Sequence, residues 1–125
     1  MSIPIEIAEV YDGLAEATGL MRIARDPAGG DVLELELQTA WLGMFKRPTQ
    51  VAAWPLSDIA EVRFKRGVFK DRLWLRPARL DLLDALPGRH KGRVKLKIKK
   101  VYRDEVYDLL DDLEAWRPEQ VTEGA

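Results

Sequence analysis

One change of hydrophobic period limits what this chain can become. From Arg93 to Val101 every second residue is apolar, with Val94, Leu96 and Ile98 on one side and Arg93, Lys95, Lys97 and Lys99 on the other. That is the spacing of a strand with one dry and one wet face. At Tyr102 the spacing switches: Tyr102, Val106, Leu109, Leu110, Leu113 and Trp116 recur at steps of three and four. An amphipathic helix is therefore predicted from Arg103 to about Trp116, with Asp104 as its N-cap and Pro118 as its stop. Asp104 and Glu105 also favour the positive end of the helix dipole. Strands with one apolar face need a second layer, and a lone helix with one apolar stripe cannot bury itself, so the helix is expected to cap the core of a sheet.

Alternation recurs upstream. Ile3, Ile5 and Ile7 read as a strand, although Ile7, Val10, Tyr11 and Leu14 also trace a helical face. Thr18 to Arg25 leads into a turn, Asp26-Pro27-Ala28-Gly29-Gly30-Asp31, after which Leu33, Leu35 and Leu37 alternate with Glu34, Glu36 and Gln38. Trp41 to Gln50 reads as a long hairpin connection and Gln50 to Trp54 as a short strand closed by Pro55. From Ile59 to Arg76 a hairpin is expected: Val62 and Phe64 alternate with Arg63 and Lys65, Arg66-Gly67 opens the turn, and Leu73 and Leu75 alternate with Arg72, Trp74 and Arg76. Arg79 to Leu83 adds a short strand before the turn-rich loop Leu86 to Gly92. The predicted core comprises Leu33, Leu35, Leu37, Val62, Phe64, Leu73, Leu75, Val94, Leu96, Ile98, Val106, Leu109, Leu110 and Leu113. Residues 1–117 are expected to form a single domain and 118–125, polar and aperiodic, a flexible tail. At 125 residues the chain can build such a core without disulfide staples.

The run Trp54-Pro55-Leu56-Ser57-Asp58-Ile59-Ala60-Glu61-Val62-Arg63-Phe64-Lys65-Arg66-Gly67, and the closing strand Val94 to Val101 that leads directly into the helix, resemble a pleckstrin-homology-like (PH-like) domain of the bacterial or GRAM type. The resemblance covers most of residues 5–117 and rests on element order and hydrophobic pattern. It implies an α+β, mainly β fold, a bent antiparallel barrel or sandwich of about seven strands capped by one C-terminal amphipathic helix. Relatives that bind phosphoinositides draw their cations largely from the loop between the first two strands. The nearest equivalent here, Arg25 to Asp31, has one cation and two carboxylates, a departure that argues against inositol phosphate in the familiar pocket. Bacterial PH-like domains are also similar in that several assemble into rings.

Catalytic and metal chemistry finds few residues to use. With no cysteine and a single histidine, thiolate nucleophiles and thiolate metal sites are excluded. His90, between Arg89 and Lys91, reads as a solvated loop imidazole. Ser2 is terminal and Ser57 precedes Asp58-Ile59, where a turn or cap accounts for it, so no nucleophile with base and orienting acid assembles. Asp108, Asp111, Asp112 and Glu114 lie opposite the apolar stripe and read as a solvated acidic face, because hard-cation sites gather oxygens from shaped loops. Gly29-Gly30 lacks the Lys and hydroxyl of a phosphate loop. No enzyme, cofactor or metal is expected, and no small-molecule substrate is evident. Up to Leu20 there is no Lys or Arg and no bilayer-length apolar run, so a cytoplasmic protein is expected.

Charge is the remaining signal. A formal net charge of −1 hides three blocks: −6 over residues 1–40, +12 over 41–103 and −7 over 104–125. If the last strands are neighbours, Arg63, Lys65, Arg72, Arg76, Lys95, Lys97 and Lys99 share one outer face with Trp74 among them. Trp74 can stack on a base or rest in a membrane interface while the cations meet phosphates, or be covered by Arg63 and Arg72 through cation–π contact. The leading expectation is a non-catalytic binding or assembly module that contacts a protein partner or a second copy of itself, acidic face to basic face. The alternative is anionic lipid or nucleic acid on the basic face.

Overall fold

The computed structural model describes residues 2–10, 15–25, 29–41, 45–46, 48–87, 91–113, 115–116 and 121–123. Among the described residues nine strands make one sheet: β1 (Ile3–Val10), β2 (Ala15–Arg25), β3 (Asp31–Trp41), β4 (Phe45–Lys46), β5 (Gln50–Pro55), β6 (Ile59–Arg66), β7 (Lys70–Pro77), β8 (Val94–Lys99) and β9 (Val121–Glu123). Along the sheet the order is β4-β3-β2-β1-β8-β7-β6-β9, and β5 also pairs with β3. Seven main strands are joined antiparallel, as two meanders that meet where β1 pairs with β8 at Glu6 and Lys97. No ladder joins β5 to β9 among the described residues, so the sheet is open. Within the segment expected as a tail, β9 runs parallel to β6, with Val121 opposite Phe64.

The dry faces of these strands converge on one core that includes Leu33, Leu35, Leu37, Val62, Phe64, Leu73, Leu75, Val94, Leu96 and Ile98. Trp54 on β5 is also in it, and its indole Nε1–H donates to the Leu82 carbonyl at 3.2 Å. Gly19 lets β2 lie close to β3: a Cβ at this position would stand 1.6 Å from the Glu36 carbonyl oxygen. Only a residue without a side chain fits there.

Helix α1 (Arg103–Asp111) buries Val106, Leu109 and Leu110 in the same core, and Tyr107 meets Phe64 edge to face with ring centroids 5.4 Å apart. Three expectations need correction here. Arg79 to Leu83 is not a strand. After Pro77 the chain turns into a 3₁₀ segment, Leu80–Ala85, which tucks Leu83 inward under the Trp54 hydrogen bond. The N-cap of α1 is Tyr102, with no side-chain cap bond, because a 3₁₀ turn at Lys100–Tyr102 runs straight into the helix; Asp104 falls inside the first turn. The α-helix also ends at Asp111 rather than near Trp116. Asp111 and Asp112 place two carboxylates at the negative end of the helix dipole, with no basic residue in the last turn to offset them. Leu113 and Trp116 remain buried through tighter bonds, Leu113 N–H to Leu110 O at 2.9 Å and Trp116 N–H to Leu113 O at 3.1 Å. No helix among the described residues is long and apolar enough to cross a membrane.

Candidate binding face

Inward residues of β6, β7 and β8 alternate with outward ones, so residues paired across the ladder share the outer face. Register puts Arg63 opposite Trp74 and Trp74 opposite Lys95, and in the next row Lys65 opposite Arg72 and Arg72 opposite Lys97. Lys70 faces Lys99 at the end of the ladder. The strand order thus brings Arg63, Lys65, Arg72, Trp74, Arg76, Lys95, Lys97 and Lys99 to one face.

Their electrostatic states differ. Glu61, which is on the same face, lies 2.8 Å from Arg63 Nε and 3.5 Å from Arg76 Nη2, so one end of the patch carries its own counter-charge. Lys95 Nζ stands 6.0 Å from the centroid of the half-buried Trp74 ring, a cation–π contact. Lys70 is paired with Glu6. By contrast, Lys65, Arg72 and Lys97 have no ion-pair partner among the described residues. Three cations directly opposite one another across three strands repel; the row ends on β1 at Glu6, which lies opposite Lys97 but is bonded to Lys70. They line an open cleft of about 440 Å³ that also takes in Val68 and Phe69.

Val68 and Phe69 belong to the turn Gly67-Val68-Phe69 between β6 and β7, where polar residues are usual. Behind this turn is a carboxylate with no exposure at all, that of Asp71. Its sequence signal is parity, since residue 71 faces inward with Leu73 and Leu75 and so demands a partner. Arg103, the first residue of α1, supplies it: Nε donates to Oδ2 and Nη2 to Oδ1, each at 2.8 Å, while the Gly67 amide donates to Oδ1 at 2.9 Å. Burial by itself pushes the Asp71 carboxyl up, but the Arg103 and Gly67 hydrogen bonds and the positive charges of Arg103 and Arg66 outweigh it and hold the group below the ordinary carboxylate value. The bidentate pair fixes the hairpin turn against the start of the helix.

The acidic regions are less uniform than their sequence suggests. Glu34 is paired with Arg22, its neighbour across β2 and β3, whereas Asp104, Asp108, Asp111 and Asp112 on and just after α1 are exposed. Among the described residues no cluster of acidic or imidazole side chains is arranged to hold a metal ion. His90 and Glu114, and residues 26–28 of the expected glycine turn, lie outside the described residues. No protein-family model, curated protein or solved structure matches the chain.

Proposed function

We propose that the chain is a non-catalytic, PH-like binding module of the cytoplasm that receives a polyanionic partner on the outer face of β6, β7 and β8. The observation that carries this reading is the row Lys65, Arg72 and Lys97. Like charges placed directly opposite one another cost the isolated fold stability, and a multivalent anion in the adjoining cleft relieves that repulsion. Seven antiparallel strands followed by a C-terminal helix on their core fit the element order on which the PH-like resemblance rests.

Inorganic polyphosphate tests the reading without assuming a biological ligand. Binding should weaken steeply as salt rises, because the contacts are exposed or half-exposed. Replacing Arg72→Glu and Lys97→Glu together should lower the affinity by about tenfold or more, since each change turns an attraction into a repulsion. Unchanged affinity in that variant removes this face as the binding surface.

A second reading uses the exposed acids of α1. Asp108, Asp111 and Asp112 lie on a different element from the basic row, so two copies can meet head to tail, a contact that closes into a ring or continues as a filament. Light scattering then detects oligomers at low salt that dissociate at high salt. A monomer at every concentration and salt eliminates self-association and leaves the first reading standing.

A further inference from the structure

We propose that the polyanion is a membrane surface, and that the hairpin tip Val68-Phe69 enters its interface while the flanking cations meet anionic headgroups. The inference rests on the binding reading above and adds a class of partner to it. Phe69 is 83% exposed and Val68 60%, at a turn that a buried ion pair braces from behind. Because Lys70 faces Lys99, the chain that continues from β8 brings Lys100 and Val101 to the same end of the sheet, and Val101 is 73% exposed. Three apolar side chains therefore project at one end of the molecule. Around them stand Lys65, Arg72, Lys97, Lys99 and Lys100, none with an ion-pair partner among the described residues.

The two features call for different halves of one surface. A soluble acidic peptide or a free polyphosphate satisfies the cations but leaves Val68, Phe69 and Val101 in water. Single-stranded nucleic acid offers flat bases to stack on, yet two of the three projecting side chains are valines, which have no π face, and the Trp74 ring is already half-buried beside Lys95. An anionic bilayer supplies both parts: an interface that takes apolar side chains, and phosphates at the depth of the cations around them. Asp71 and Arg103 make the insertion inexpensive in entropy, because the turn is held in place before contact.

The test uses the full chain with phosphatidylcholine vesicles prepared with and without phosphatidylglycerol. Wild-type protein should sediment with the anionic vesicles and not with the neutral ones. Val68→Ser combined with Phe69→Ser should reduce vesicle partitioning by about tenfold and leave polyphosphate affinity unchanged, since the cations remain. Both residues are exposed, so thermal unfolding should show the variant folded. Arg72→Glu with Lys97→Glu should lose vesicles and polyphosphate alike. The inference is overturned if the serine variant partitions like the wild type. It is also overturned if wild type binds polyphosphate or single-stranded DNA but no anionic vesicle, in which case the binding reading survives. Failure to bind any of these removes both.

Discussion

Asp71→Ala should lower the stability of the chain by about 3–5 kcal/mol, the cost of leaving one member of a buried ion pair without the other. The carboxylate is fully buried, and three donated hydrogen bonds end on it, two from Arg103 and one from the Gly67 amide. Its loss takes two hydrogen bonds from the guanidinium at the start of α1 and one from an amide in the β6–β7 turn. Denaturant unfolding should show the midpoint moving down with an unchanged slope. Replacing both partners with apolar residues of similar volume, Asp71→Leu with Arg103→Met, should cost far less than Asp71→Ala. Equal losses in the two variants would contradict a role for the pair itself.

The same carboxylate makes a signed prediction about pH. Its folded value lies below the unfolded one, so the pair contributes fully above the unfolded carboxylate value of about 3.9. The contribution fades as pH falls toward and through the folded value, because the unfolded state then binds more protons. The stability difference between wild type and Asp71→Asn should accordingly be constant near neutrality and shrink in acid. A gap that widened in acid would mean the carboxyl is raised rather than lowered.

Gly19→Ala should cost about 3 kcal/mol, the upper end of what overpacking does. The new Cβ would lie 1.6 Å from the Glu36 carbonyl oxygen, 2.7 Å from its carbon and 2.9 Å from Leu37 Cα. All three are backbone atoms of β3, so no side chain can rotate away to make room. Either β3 moves, disturbing the ladder that runs from Ala15 opposite Trp41 to Arg25 opposite Asp31, or β2 bends outward. Unfolding by urea checks it; a variant as stable as wild type would show that the two strands separate without penalty.

Period-two and period-3.6 spacing picks out much of the core: the residues predicted for it, from Leu33 to Leu113, are all buried, because alternation fixes the face a side chain takes, but Met21, Trp54, Ile59 and Leu83 join them from outside that prediction. Local rules failed where tertiary contacts decide. Leu80–Ala85 curls into a 3₁₀ segment under a hydrogen bond from Trp54, twenty-eight residues upstream of Leu82, and no local pattern encodes that partner. The basic face was legible residue by residue, but its register was not. Alternation places Lys65, Arg72 and Lys97 outward; only the three-residue turn between β6 and β7, and the return of β8 across residues 78–93, align them in one row. Phe69 carries no signal in the sequence, because a turn has no hydrophobic period to read. Asp71 carried a clear signal, a charge at an inward position, but its partner is thirty-two residues away.

The most direct measurement is an NMR amide titration of the wild-type chain with inorganic polyphosphate at low salt. Binding on the β6–β7–β8 face predicts shifts concentrated at Lys65 to Arg72 and Lys95 to Lys99, reversed by added salt. Shifts centred instead on β2, β3 and β5, or none at any polyphosphate concentration, would contradict it.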